Sequence, residues 1–325
     1  VPSLTTFGEI PLSMTIHGVE MNMGDYAAFE ILASPVITSV ETDNKFSSKA
    51  VQVGNTVTIK GTGFRNSTIS SATFGGQDLN YTVVSDTEIT ASVSEQCAEG
   101  EDVITFKFDD VVVDVVSSDK LNMLKAGSDI SDYILTNVKQ PFESKEGKAS
   151  GHCTPVGWQF NYGSGNDGFC HDESKIEEPG EGLYMNDQGG LLVIQSGWEG
   201  RSKKMNGKMF QIFNIPQGIY DVVIDVAELA TNGGGRKKAG LFISKGGEEQ
   251  TPNMDASGNW TENTNLLKSV DFYMPGETYS ENYKDQRFVI ENLTINYEGE
   301  TTLGFVVHFD SNRALKISSI KVLLK

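Results

Sequence analysis

Hydrophobic and polar residues alternate in short runs along most of this chain, and no segment shows the period of an amphipathic helix. The alternation is clearest over residues 51–93, where Val53, Val57 and Ile59 are predicted to lie on one face. Two glycine turns that favour positive φ separate these runs: Gly61-Thr62-Gly63 and Gly75-Gly76. Short strands divided by glycine turns predict an all-β fold.

The alternation resumes from Val156 onward, which predicts a second β-sandwich or jelly roll. The clearest runs are 158–162, 190–195, 208–213, 220–229, 240–244, 270–273, 288–297, 303–309 and 315–324. Trp158 alternates with hydrophobic residues in the first run and is predicted in the core. The last run loses its alternation at Ser318-Ser319, where a β-bulge would return the following residues to the inward face.

These patterns divide the chain into four parts. Residues 1–34 contain two short runs that predict a hairpin or the remnant of a preceding domain. Residues 35–116 form the first predicted sandwich, which ends with a strand over 111–116. Residues 117–150 are polar and predict a linker, and residues 151–325 form the predicted jelly roll.

Residues 35–116 resemble a known family, from Pro35-Val36-Ile37-Thr38-Ser39-Val40 through both glycine turns to the later strands. The resemblance is to the IPT/TIG family of immunoglobulin-like β-sandwiches. It implies that this domain is a spacer and that binding takes place elsewhere in the chain.

The segment from Asn206 to Val222 contains Phe210-Gln211, Ile215-Pro216 and Gly218-Ile219-Tyr220. It resembles a structural step of galactose-binding-like jelly rolls, many of which are carbohydrate-binding modules. The pair of domains resembles surface glycan-binding lipoproteins of the Bacteroides group. This implies an exported protein at the cell surface or outer membrane, with a lipid anchor on a removed N-terminus and outer-membrane transport partners.

The net charge of −18 changes the set of expected partners. An acidic surface repels phosphate backbones and anionic lipid headgroups, so we expect no nucleic-acid binding and no membrane-surface binding. Neutral glycans, cations and basic partners remain compatible. No apolar run reaches the roughly 18 to 20 residues that a membrane-spanning helix needs. The chain opens on Val1 without a methionine, which is compatible with a processed, exported protein.

Two of the three cysteines, Cys153 and Cys170, each have a neighbouring histidine, His152 and His171. Three states are open for this pair: a disulfide, two free buried thiols, or a zinc site that uses the histidines. The third, Cys97, lies in the first sandwich.

The sequence predicts no enzyme and requires no cofactor. It contains no nucleophile elbow, zinc-protease helix, phosphate loop or dinucleotide fingerprint. A glycosidase needs two carboxylates about 5 to 10 Å apart, and nothing selects such a pair. His308 is interpreted as a satisfied residue of the sandwich. Acidic turns at 166–167, 171–173 and 186–187 offer oxygen ligands for a structural calcium ion, and ordinary Asx turns are the favoured alternative.

Aromatic residues in polar loops give the best binding signal. Trp198 and Trp260 lie in such loops, and a sugar ring can stack on an exposed indole while polar side chains bind its hydroxyls. Arg201, Asn259 and Tyr283 are the accompanying candidates. A loop tryptophan can instead fold back as a lid. We therefore predict a non-catalytic polysaccharide-binding protein, with a cell-adhesion or protein-interaction module as the alternative and a glycoside-active enzyme as a third reading.

Overall fold

The structure is a computed structural model and divides into two compact units, Val1–Lys125 and Ala126–Lys325. It describes residues 8–11, 13–22, 28–109, 111–145, 151–152, 155–162, 183–185, 190–195, 205–231, 237–253, 259–272, 283–309 and 313–325. Among these residues the helical content is small, including helix α1 (Ser131–Ile134) and a 3₁₀ turn at Glu248–Gln250. Everything else that is regular is β-strand, so the predicted all-β fold is confirmed.

The N-terminal part contains four short strands: β1 (Gly8–Pro11), β2 (Ser13–Ile16), β3 (Val19–Asn22) and β4 (Ala28–Ile31). β2 pairs with β3, and β1 pairs with β4. The two predicted runs therefore do not pair with each other as one hairpin. His17 and Gly18, both at positive φ, make the tight turn that brings β3 back onto β2.

The first sandwich contains nine strands: β5 (Val36–Thr42), β6 (Ala50–Val51), β7 (Val57–Thr62), β8 (Ile69–Phe74), β9 (Gln77–Asp78), β10 (Asn80–Ser85), β11 (Glu88–Ser92), β12 (Gly100–Phe108) and β13 (Val115–Met123). One sheet has the order β10-β11-β7-β5 and the other β6-β13-β12-β8-β9. The inward residues of both sheets form one buried hydrophobic core.

The glycine turns of this sandwich are confirmed. Gly63, Gly75 and Gly76 all have positive φ. Gly61 is required for a different reason: a Cβ there would lie 2.4 Å from Cζ of Phe64, whose ring packs against the strand. Val53 does not share the buried face of Val57 and Ile59, because it lies in the turn after β6 and is exposed.

The predicted strand over 111–116 is wrong. Residues 111–114 connect β12 to β13, and Val112 is fully exposed. β13 begins at Val115 and continues past the predicted boundary to Met123, with Leu121 buried. The inward position at Ser117 is occupied by a serine, whose hydroxyl accepts the Ile104 N–H and donates to the Asp119 carbonyl. This polar residue interrupts the alternation that would otherwise mark the strand.

The described residues of the second unit form a two-sheet sandwich with eleven strands: β14 (Gly151–His152), β15 (Gln159–Tyr162), β16 (Leu183–Met185), β17 (Leu192–Gln195), β18 (Met205–Asn214), β19 (Gly218–Thr231), β20 (Lys237–Lys245), β21 (Leu266–Asp271), β22 (Tyr283–Ile295), β23 (Glu300–Phe309) and β24 (Arg313–Leu324). A six-stranded sheet has the order β14-β16-β17-β24-β19-β22, and a five-stranded sheet has the order β15-β18-β23-β20-β21. Most of the predicted runs are strands.

Two strands differ in extent from the prediction. β21 begins at Leu266, before the predicted run over 270–273, and β22 begins at Tyr283, before the predicted run over 288–297. The added part of β22 includes Lys284-Asp285-Gln286-Arg287. These residues are all polar, so no hydrophobic alternation marks this part of the edge strand. The predicted bulge is confirmed: Ser319 is opposite Asp225, Ile317 is opposite Val226, and Ser318 is the extra residue.

Part of the predicted linker belongs to the second unit. β17 pairs with only the first half of β24, and the segment 127–140 takes the free edge of the second half. Ile130 N donates to Val322 O, and Ile320 N donates to Val138 O. Ile130 and Val138 are buried. These irregular main-chain bonds carry no two-residue period, so the pattern of the sequence does not reveal them.

The segment that resembles galactose-binding-like domains is a tight turn between β18 and β19. The Tyr220 hydroxyl donates to Pro216 O at 2.7 Å, and burial raises the pKa of Tyr220 to about 12. A Cβ at Gly218 would lie 2.9 Å from the same hydroxyl, so this position requires glycine. The proline, glycine and tyrosine therefore have structural roles.

Candidate functional site

Several strand ends that flank candidate residues in the sequence lie at one end of the second unit. Met205, Phe309 and Lys237 are opposite one another across the five-stranded sheet. Gln195 is paired with Ala314, and Thr231 with Arg313, at the same end of the six-stranded sheet. We call this end the loop end. The unit begins at the other end, where Gly127 N donates to Leu324 O.

Trp198 and Arg201 lie outside the described residues. In the sequence they fall between Gln195 and Met205, and both of these bounding residues are at the loop end. Tyr283 is the first residue of β22 and is paired with Leu229, so its backbone is also at this end. The strand ends that bound the segment of Trp198 and Arg201 therefore lie at the same end as the backbone of Tyr283.

Trp260 lies on the face of the five-stranded sheet that is turned away from the main core. Phe305 marks the core side, because it stacks on Trp158. Val306 faces the other way and forms a small apolar cluster with Phe210 and Phe242, on which Trp260 packs. A Cβ at Gly240 would lie 2.5 Å from Cζ2 of the indole, so the ring lies directly on the glycine backbone. Trp260 remains partly exposed.

The indole N–H of Trp260 donates to Oδ1 of Asp271 at 2.5 Å. Asp271 is exposed, and its residue is opposite Gly240 across β20 and β21. The packing on the glycine and the hydrogen bond to the carboxylate together fix both the tilt and the rotation of the ring. Asn259, which precedes Trp260 in the chain, is exposed.

The segment on either side of Trp260 is tied to the sheet. Asn253 N donates to Thr261 Oγ1 at 3.0 Å, and Thr261 N donates to Asn253 O at 2.9 Å. The buried Lys208 donates its ammonium proton to Thr251 Oγ1 at 2.7 Å. These bonds hold the segment across the outer face of the sheet. Trp260 is therefore part of a fixed cover over an apolar cluster, and its role as a ligand contact stays a prediction.

Trp158, interpreted as a core residue, is confirmed as one. It is 3% exposed, its ring centroid lies 5.8 Å from that of Phe305, and its indole N–H donates to Asn137 O at 3.0 Å. His308 is buried in β23, as predicted for a residue of the sandwich.

Sequence reasoning missed Gly240 and Asp271. The two residues lie 31 positions apart in the chain and meet Trp260 only through the pairing of β20 with β21. No local motif marks them. The alternation of hydrophobic residues in β20 does place Gly240 and Phe242 on one face. Only this part of the arrangement around Trp260 could be predicted from the sequence.

The outer face of the six-stranded sheet has a different character, because its acidic residues are paired with bases. Asp225 accepts two hydrogen bonds from Arg287, at 2.7 and 3.1 Å, and one from Ser319. The hydrogen bond from Arg287 is the main cause that lowers the pKa of Asp225. Lys316 pairs with Glu228, and Lys325 with Asp221, along the same strand β19. Three separate ion pairs therefore lie along β19.

Several predictions fall outside the described residues. They concern Cys153 and Cys170 and the acidic turns proposed for calcium, at 166–167, 171–173 and 186–187. Within the described part of the chain, no group of three or more His, Cys, Asp or Glu side chains is arranged to hold a metal ion. Cys97 is a free, buried thiol close to Phe74 O. No helix in the described part is long and apolar enough to cross a membrane.

Comparisons with solved structures find the following similar proteins. TmCBM61, in complex with β-1,4-galactotriose, is 14% identical with a TM-score of 0.30, and the alignment covers 52% of this chain and 90% of that chain. SGBP-B of the Bacteroides ovatus mixed-linkage glucan utilization locus, in complex with a mixed-linkage heptasaccharide, is 12% identical with a TM-score of 0.24, covering 97% of this chain and 61% of that chain. The surface glycan-binding protein PbSGBP-B of Prevotella bryantii is 10% identical with a TM-score of 0.25, covering 90% and 99%.

Comparisons by sequence identify the first sandwich. No curated protein matches the chain. Residues 35–120 match the IPT/TIG domain, and the two sheets described above lie within or just beyond this range. The resemblance inferred from Pro35 and the glycine turns is thus confirmed, and this part of the chain is an IPT/TIG domain.

Proposed function

We propose that this chain is a non-catalytic polysaccharide-binding protein, in which the second unit binds the glycan at Trp260, on the outer face of the five-stranded sheet, and the TIG domain is a spacer. The observation that carries the proposal is the fixed and partly exposed indole of Trp260, which is hydrogen-bonded to the exposed carboxylate of Asp271. Aromatic rings bind the C–H face of a sugar, and polar neighbours bind its hydroxyls.

The experiment measures retention on a broad panel of soluble and insoluble glycans, followed by calorimetric titration of the best one. Trp260→Ala is expected to lower the affinity about 5- to 100-fold, as for other aromatic hot spots. Leu266→Ala is the matched control, because Leu266 packs on the same apolar cluster as Trp260. Equal losses in both variants would assign the effect to packing. A wild-type protein that binds no glycan would show the proposal to be wrong.

We also propose that the protein is exported and acts at the cell surface or outer membrane. A lipid anchor and outer-membrane transport partners would suit a protein that delivers glycan to the cell. The acidic surface, which disfavours nucleic acid, supports an extracellular role. Surface labelling of intact source cells with an antibody tests the location, and labelling that requires cell lysis would contradict it.

One observation favours the alternative, a protein-interaction or adhesion module. Val112 and Val113 are both strongly exposed between β12 and β13 of the TIG domain, with the exposed Asp109 and Asp114 on either side. Adjacent exposed aliphatic residues are a feature of interaction surfaces. Retention on a purified partner protein that Val112→Asp abolishes, together with no retention on glycans, would favour this alternative.

A further inference from the structure

One of the two carboxylate oxygens of Asp271, Oδ1, has a described hydrogen-bond partner at the candidate site. Oδ1 accepts the indole N–H of Trp260, and within the described part of the chain no contact is found for Oδ2. The residue is exposed at the end of β21, beside the partly exposed Trp260. A carboxylate has about four lone-pair sites and commonly accepts several hydrogen bonds at once.

We propose that Asp271 is a ligand-binding residue of this site and that the ligand is a neutral sugar. Oδ1 holds the indole of Trp260, and Oδ2 accepts a hydrogen bond from a hydroxyl of the sugar that stacks on the ring. This inference rests on the proposed function, since it assumes that Trp260 contacts the glycan.

The hydrogen bond to Asp271 also determines which part of the indole can contact the ligand. The Nε1–H is the only hydrogen-bond donor of the indole, and Asp271 occupies it. Trp260 therefore contacts a sugar through the face of its ring and not through its N–H. The benzo edge of the ring lies on Gly240, and the partly exposed remainder of the ring is left for the sugar. Gly240 is a positioning residue, because any Cβ there would displace the ring.

The charge of Asp271 determines the class of sugar. A hydroxyl group donates to a carboxylate in a charge-assisted hydrogen bond, which is shorter and stronger than a neutral one. A uronic acid at the same place would bring a second carboxylate close to Asp271, and like charges at short distance repel. Glu262, exposed close to Trp260, adds to this acidic environment. A neutral pyranose with an apolar C–H face fits both the ring and the carboxylate.

The test uses the full chain and a neutral oligosaccharide chosen from the glycan panel. In Asp271→Asn the amide oxygen can still accept the indole N–H, so Trp260 keeps its place while the negative acceptor is lost. We expect an affinity loss of about tenfold or more, since hydrogen bonds to charged groups are among the stronger ones. The melting temperature and the tryptophan emission maximum should stay close to the wild-type values. Glu262→Gln removes a nearby charge of the same sign and is expected to change the affinity less than twofold.

A second measurement tests the class of sugar directly. Relative to the wild type, Asp271→Asn should bind uronate-bearing oligosaccharides more tightly than before and neutral ones more weakly. If Trp260→Ala loses affinity while Asp271→Asn binds like the wild type, the inference is wrong and the proposed function stands. If Asp271→Asn and Glu262→Gln lose affinity equally, the effect is one of general charge, which also overturns the inference. A wild-type chain that binds no glycan removes both proposals.

Discussion

The side-chain amide of Gln211 pairs with both main-chain groups of Thr136. Oε1 accepts the Thr136 N–H at 2.9 Å, and Nε2 donates to Thr136 O at 2.6 Å. The amide side chain thus makes the two hydrogen bonds that a residue of a neighbouring strand would make with Thr136. It joins β18 to the segment that lies before β14, the first strand of this unit. Gln211 is buried in the five-stranded sheet, which explains its place in a recurring structural step.

Gln211→Ala is expected to destabilise the second unit by about 1 to 3 kcal/mol, because it leaves two main-chain groups without their partners. Denaturant unfolding of the full chain, followed by tryptophan fluorescence, measures the change. Gln217→Ala removes the same side chain from an exposed position in the turn after β18 and should change stability by less than about 0.5 kcal/mol. Similar effects in the two variants would contradict the role given to Gln211.

The sequence allowed prediction of those elements that depend on local residue types. Gly63, Gly75 and Gly76 mark turns because few other residues tolerate positive φ, and the bulge at Ser318 follows from a break in the alternation of hydrophobic residues. The segment 127–140 could not be predicted as part of the sandwich. Apart from the bond from Val322 N to the Ser131 hydroxyl, its described bonds to β24 are main-chain bonds, and these do not depend on side-chain pattern.

The candidate site was predictable only in part, for a similar reason. Trp260 stood out because it is a tryptophan in a polar loop. Whether its ring faces solvent or covers the sheet depends on Gly240 and on the position of Asp271, and both are set by the register of β20 with β21. Register is a long-range property that residue type alone does not specify.

Trp158 provides a contrast to the loop tryptophans. Trp158→Ala removes a large buried ring from the core and one hydrogen bond to Asn137 O, and we expect a loss of about 3 to 5 kcal/mol in unfolding free energy. Trp158→Phe keeps part of the contact with Phe305 and should cost less. Protein that remains folded should bind glycan like the wild type. A specific loss of affinity in folded Trp158→Phe would contradict its assignment to the core alone.

The ion pair between Asp225 and Arg287 predicts a pH dependence of stability. Arg287, by its hydrogen bonds, lowers the pKa of Asp225 in the folded state below the unfolded value of about 3.9. Its contribution is therefore present above the unfolded pKa and is lost as the pH falls through the lower folded pKa. Asp225→Asn should lower the melting temperature at pH 7 and reduce its fall on acidification. Asp285→Asn, at an exposed position with positive φ that asparagine tolerates, should leave the acid limb of the curve unchanged.

Cys153 and Cys170 give a chemical prediction for residues outside the described part of the chain. A disulfide between them would lower the intact mass by about 2 Da and stabilise the unit by about 3 kcal/mol. Mass spectrometry of freshly exported protein, before and after reduction, measures the first quantity. Two free thiols at these positions would rule out the bridge. Cys97 is the internal control, since it is a buried free thiol and should react only after unfolding.

The last prediction concerns Trp198. The strand before it and the strand after it both have their nearer ends at the loop end. Gln195 and Met205 lie there, at the same end as the first residue of β22. If Trp198 stacks on the glycan, Trp198→Ala should lower the affinity about 5- to 100-fold and leave the melting temperature nearly unchanged. Arg201→Gln tests the accompanying hydrogen bonds to sugar hydroxyls and should lower the affinity less than Trp198→Ala does.

Calorimetric titration of the single variants and of Trp198→Ala combined with Trp260→Ala measures the coupling between the two tryptophans. Losses that add would mean two separate contacts on one glycan, and losses that exceed or fall short of the sum would mean that the rings act on the same sugar. Unchanged affinity in folded Trp198→Ala would remove this residue from the site and leave Trp260 as its aromatic contact.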